Sequence, residues 1–247
     1  PINTLAQRLA PRSYIQGNVL SLSVAQQLDI GSFRSNLEAS GYTNVSEVME
    51  HGEFAIRGSI IDLFPAGSSV PYRIDLFDDE IESIRCFDPQ SQRSDNRVTS
   101  VELLPAREFP TDEAGIKQFR SRYRELLAGD PLNSIIYKSV SDGIMPSGIE
   151  YYLPVFYDDN ELDTLFDYLP KSSLYIAPQA LTQQLEVFEG EVHERYEQRR
   201  HDIERPILSP EYLYQSTQEI LTTLDDASVV YTSTKKSTGN THNANEK

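Results

Sequence analysis

Between Glu53 and Leu104 the chain runs through "EFAIRGSIIDLFP", "PYRIDLF", "EIESIRCF" and "RVTSVELL", parted by "AGSSVP", "DDE" and "DPQSQRSDN". Short runs of β-branched and aromatic residues with turn chemistry between them predict an antiparallel meander. In "PYRIDLF", Tyr72, Ile74 and Leu76 point one way and Arg73, Asp75 and Phe77 the other. The first set is a core face. The second belongs on a solvated face, yet it carries a phenylalanine among acids and near two arginines. An aromatic beside an arginine on a polar face has the chemistry of a partner-binding patch. The competing reading is that Phe77 covers an adjacent loop.

Upstream, "DIGSFRSNLEASGY" predicts a short helix with Phe33 and Leu37 on one side and Gly41 as its stop, and "NVSEVMEHGEF" has room for one more turn. Together these segments predict an α+β module, an antiparallel sheet with helices on one face and the other face wet. After Pro105 the period lengthens. "TDEAGIKQFRSRYRELLAG" puts Ile116, Phe119, Tyr123, Leu126 and Leu127 on one helical stripe, with Thr111 as cap and Gly129 as stop. "NSIIYKSVSDG" and "ELDTLFDYLP" read as shorter helices, and a long helix is expected from about Pro178 to Ile203. "SPEYLYQSTQEILTTL" reads as one helix with Ser209 as cap and Pro210 in its first position. "SLYIA" and "SVVYT" read as buried strands, and their alternation with helices predicts an α/β layer with parallel strands. Two strands are too few for a complete sheet, so further strands are expected upstream. The expected division is 1–18 as the end of an upstream domain, 19–105 as the α+β module, 106–232 as the α/β part, and 233–247 as a polar linker.

Charge narrows the function classes. The formal net charge over 247 residues is -16, which repels phosphate and anionic membranes unless the basic residues gather on one surface. A protein partner is the better expectation. Hydrophobic residues at 38% supply enough apolar surface for cores. The single cysteine, Cys86, rules out an internal disulfide framework and fits a reducing, cytoplasmic compartment. No apolar run reaches the roughly 20 residues of a membrane span.

Catalytic motifs are missing. There is no GxxxxGK[ST] phosphate loop and no GxGxxG opening a helix. His51, His193, His201 and His242 are scattered, with no metal-ligand spacing. The paired acids at Asp78–Glu80 and Asp158–Glu161 fall at predicted turns, where aspartate serves local hydrogen bonding. The "RYEQRR" run from Arg195 to Arg200 is interleaved with acids at helical spacing and reads as a salt-bridged face.

"GEFAIRGSIIDLFPAGSSVPYRIDLFDDEIESIRCFDPQSQRS" closely resembles the module shared by bacterial transcription-repair coupling factor (Mfd) and the excision-repair subunit UvrB. The likeness continues through "LLPAREFPT", "GIEYYLP" and "LFDYLP", and "VMEHGEFAIRG" and "EFPTD" look more like the coupling factor. The resemblance implies the UvrB-homology region of the N-terminal part of Mfd, a module that binds the damage-recognition ATPase UvrA through the wet face of its sheet. Arg57, Arg73 and Phe77 occupy the matching positions, with Glu80 and Arg85 as further candidates. The face of Arg85 depends on the length of the turn at "DDE". On that face a local basic island is expected. The resemblance also implies that the second segment is part of a degenerate α/β, RecA-like (UvrB-like) motor domain. Where UvrB would carry its acidic "DES" element, this chain has Ala177, Pro178 and Gln179, with no carboxylate to hold magnesium. The implied chain is therefore non-enzymatic, monomeric and without cofactor. ATP and magnesium would belong to the downstream motor, and RNA polymerase and DNA to other domains of the whole protein. The alternative implied class is a UvrB-like nucleotide-dependent enzyme fragment.

Overall fold

The computed structural model describes residues 1–232; the tail 233–247, read above as a linker, lies outside the described residues. Eight strands lie between residues 20 and 103. They are β1 (Leu20–Ser23), β2 (Thr43–Asn44), β3 (Glu53–Arg57), β4 (Ile60–Leu63), β5 (Tyr72–Phe77), β6 (Glu80–Phe87), β7 (Ser94–Val98) and β8 (Ser100–Leu103). Strands β2 to β7 form one sheet in sequence order, antiparallel throughout except for the short parallel β2–β3 edge. The expected single run "RVTSVELL" divides at Thr99: β7 ends the sheet, and β8 pairs antiparallel with β1. The sheet's core face carries Phe54, Ile61, Leu63, Ile74, Leu76, Ile81 and Ile84. Helix α1 (Ile30–Ala39) covers it with Phe33 and Leu37, and the β1–β8 ribbon adds Leu22, Val101 and Leu103. Asp29 caps α1 by accepting from the Ser32 amide at 2.8 Å. Gly41 ends it at φ +84°, where a Cβ would lie 2.4 Å from Arg107 Cγ. Residues 45–51 form turns without a further helix.

The opposite face is not uniformly wet. Val45 and Val48 fold over one end of it and bury Ala55, Phe64 and Phe87 in a small second core. Apolar side chains in β3, just after β4 and in β6 that point away from the main core have to be covered somewhere, and this loop covers them. The other end of the face stays open.

In the second half, α2 (Glu113–Leu126) packs Phe119 and Tyr123 against Phe109, Phe156 and helix α3 (Ile135–Ser141). The cap of α2 is Asp112, one residue beyond the expected Thr111, because its carboxylate reaches the Gly115 amide at 2.8 Å. Strands β9 (Leu174–Pro178) and β10 (Ser228–Thr232) pair in parallel, as the alternation predicts. One face of that pair packs Tyr175, Ala177 and Val229 against α4 (Leu181–Arg199) and α5 (Thr217–Asp225). The other face is open, with Ile176 71% exposed, so these strands are less buried than their apolar sequence predicts. The expected helix from Pro210 is two pieces. It breaks after Leu213 and restarts at Thr217, where Ser216 and Glu219 form a reciprocal capping box that favours a new helix start. Among the described residues no helix is long and apolar enough to cross a membrane.

Candidate functional site

The second face of the six-stranded sheet is organised by one buried carboxylate. Asp62, central in β4, is 0% exposed. Its register partner across to β5 is Arg73, so both side chains rise from the same face. Arg73 Nε donates to Asp62 Oδ1 at 2.7 Å and Arg73 Nη2 to Oδ2 at 2.9 Å, a two-pronged pair. Arg57, at the end of β3, reaches the same Oδ2 through its own Nη2. Gly58 makes this reach possible. At φ +63° it turns the chain within two residues, pairing Arg57 with Ile60 and setting the guanidinium beside Asp62.

The two arginines differ in what remains free. Arg73 Nη1 donates to the Gln92 carbonyl at 3.1 Å and to Ser94 Oγ at 3.4 Å, and its Nη2 also reaches Gln92 Oε1 at 3.4 Å. With the Asp62 bonds, every guanidinium N–H of Arg73 has an acceptor. The guanidinium also lies 4.9 Å from the centre of the Phe87 ring, and its side chain is 15% exposed. The Asp62 hydrogen bond raises its pKa further above the ordinary arginine value, against the opposing effect of burial. Arg57 is 47% exposed, and among the described residues it makes, beyond Asp62, only a long contact to the Ser46 carbonyl at 3.5 Å. It keeps donors directed at solvent.

The turn between β5 and β6 has two residues, Asp78 and Asp79, since Phe77 pairs with Glu80. Asp78 adopts φ +54°, a left-handed conformation that aspartate tolerates better than most residues. A bulge follows: Asp75 pairs with Ser83 while Leu76 pairs with Ile81, leaving Glu82 as the extra residue. That single residue restores parity, so Arg85 pairs with Arg73 and stands on the Asp62 face. Arg85 Nη2 bonds Asp75 Oδ2 at 2.6 Å, while its Nε has no partner among the described residues. The hairpin tip is held from outside as well. The Ala25 amide donates to the Ile81 carbonyl at 2.8 Å, the Ile81 amide to the Gln26 carbonyl at 2.9 Å, and the Leu28 amide to the Asp79 carbonyl at 2.7 Å.

Phe77 stands on this braced tip at the open end of the face, 71% exposed. No loop covers it. Exposing an aromatic this far forgoes roughly the 1.5–3 kcal/mol of a buried large apolar side chain, so the braced tip holds an apolar group that the fold itself does not use. The structure therefore places Arg57, Arg73, Phe77, Glu80 and Arg85 on one continuous surface. It also adds an acid that the sequence pattern does not single out, Asp62, and pairs Asp75 with Arg85. Three arginines meet these two aspartates, so the face carries far less free positive charge than the expected basic island. Two clefts of about 370 and 440 Å³ are lined by residues of the second half of the chain, with Arg8 joining the first, and include no residue of this face. Among the described residues no group of histidine, cysteine and acidic side chains is arranged to hold a metal.

The family model described as the UvrB interaction domain matches residues 20–109. Over 223 residues, 89% of this chain and 19% of the relative, the sequence is 48% identical to the transcription-repair-coupling factor of Haemophilus influenzae. Identity to the Escherichia coli K12 protein of the same description is 43% over 224 residues, covering 91% of this chain and 19% of that protein. With the Myxococcus xanthus protein it is 33% over 175 residues, 68% of this chain and 14% of the relative. The chain thus spans about a fifth of the length of the first two relatives.

Proposed function

Over residues 20–109 the chain belongs to the UvrB interaction domain family, within a longer stretch similar to transcription-repair-coupling factors, and on that premise we propose that it is a non-catalytic recruitment module that docks on UvrA. The docking face is the open sheet face bearing Arg57, Arg73 and Phe77, with Glu80 and Arg85 at its flank. In the whole protein the module would bring UvrA to a lesion where RNA polymerase has stalled, while DNA translocation, ATP and magnesium would belong to other domains.

The observation that carries this reading is Phe77, an aromatic fixed on a braced hairpin tip and left uncovered on the same sheet face as a half-exposed arginine. A central aromatic supplies apolar contact, and an arginine fork pairs with carboxylate or carbonyl oxygens; these are the residue types that dominate binding energy at protein interfaces. Residues 106–232 would be the second part of a degenerate RecA-like domain. The parallel β9–β10 pair with helices behind it fits that assignment, and its strand end at Ala177, Pro178 and Gln179 offers no carboxylate for magnesium. The test is a titration of UvrA with the chain and with Arg57→Ala. The proposal expects wild-type binding and weakening by about tenfold or more in the variant. Absence of wild-type binding would overturn it.

A further inference from the structure

Asp62 is the most deeply buried charge on the docking face, and the free surface shows no use for it. Removing a carboxylate from water is costly unless it is fully paired, and such pairs are better suited to specifying an arrangement than to adding stability. Asp62 accepts from Arg73 twice and from Arg57 once. Arg73, with every donor occupied and its side chain 15% exposed, has little left to offer a partner. It is bound to Asp62 on one side and to the Gln92 and Ser94 loop on the other. Arg57, by contrast, retains free donors and, among the described residues, has Asp62 as its only close anchor.

We infer that Asp62 is a positioning residue of the docking face: it fixes the exposed Arg57 guanidinium in the orientation the partner reads, and Arg73 acts through Asp62 rather than by touching the partner. This inference rests on the docking function proposed above. The arrangement divides labour. The Asp62–Arg73 pair is a preformed base under the surface. Arg57 is the reading group, and it avoids part of the ordering cost that a free arginine would meet on binding.

Double-mutant cycles with UvrA separate this from direct contact. Arg73→Gln and Asp62→Asn should each weaken binding by about tenfold in the wild-type background, mainly through faster dissociation. In an Arg57→Ala background the same changes should cost no more than about twofold, the limit expected when their effect runs through Arg57. A purely structural role, or direct contact by Arg73, would give the same loss in both backgrounds and overturn the inference. Should Asp62→Asn fail to fold, judged by circular dichroism, the Arg73→Gln cycle carries the test alone. A second readout needs no partner: modification of Arg57 by phenylglyoxal should speed up several-fold in Asp62→Asn, which removes the anchoring charge, and an unchanged rate would count against Asp62 holding Arg57 in place. A wild-type chain that does not bind UvrA removes the proposed function and this inference with it; binding with additive losses removes the inference alone.

Discussion

Replacing Phe77 with alanine removes a large, 71% exposed apolar group from the open face while leaving Ile74 and Leu76, on the core side of the same strand, untouched. A phenylalanine offers about 200 Å² of surface, and 71% of Phe77 is exposed. Roughly 140 Å² is therefore left for a partner to cover. At about 25 cal/mol per Å², complete coverage would contribute ~3.5 kcal/mol. Alanine retains Cβ, and interfaces rarely cover every atom, so the expected loss is about 2 to 3 kcal/mol, roughly 30- to 150-fold in Kd. Titration calorimetry of UvrA with the wild type and Phe77→Ala measures it, with circular dichroism and thermal midpoint unchanged. Binding within about threefold of wild type would refute the reasoning. So would a large fall in thermal midpoint, because Phe77 would then be a structural cover and not a contact.

Three further outcomes follow from the geometry. Partial burial raises the Glu219 carboxyl, but hydrogen bonds from the Ser216 amide and hydroxyl and from Arg8 outweigh it and hold the pKa below 4.5. With a lowered folded value, the unfolded chain binds more protons, so this stabilisation is present above pH 4.5 and is lost as pH falls through the depressed value. Glu219→Gln should accordingly flatten that acid-side part of the thermal-midpoint profile, and an unchanged profile would contradict the assignment. ATP should show no saturable, magnesium-dependent binding to the chain, because Ala177, Pro178 and Gln179 supply no metal ligand; such binding in a fluorescence titration would sink the non-catalytic reading. UvrB added to a preformed complex of the chain with UvrA should release the chain, since matching arginine and aromatic positions would compete for one desolvated patch, and a stable ternary complex at one UvrA site would reject the shared patch.

Local pattern made Phe77 legible. Alternation along "PYRIDLF" puts Ile74 inside and Phe77 outside, and the structure keeps that order. Register was not legible in the same way. The face of Arg85 depends on a bulge at Glu82, and nothing in "EIESIRCF" announces an extra residue within a regular strand. Asp62 was hidden for a related reason. A lone acid inside "SIIDLFP" looks like a surface residue until strand pairing sets it opposite Arg73, and that pairing is a long-range property. The wet face was over-read because the turns at 45–51 carry Val45 and Val48 back over it, a packing choice without a local periodic signal. The restart of the last helix, however, was readable: Ser216 and Glu219 stand three apart in "STQE", the spacing of a capping box.

A benzophenone side chain installed at position 77, irradiated with UvrA present, tests the docking face most directly. The same group at position 151, where Tyr151 is also largely exposed but lies in the second half of the chain, serves as the comparison. The account predicts a covalent product with UvrA from position 77, suppressed by excess UvrB, and little from position 151. Equal capture from both positions, or capture from position 151 alone, would contradict it.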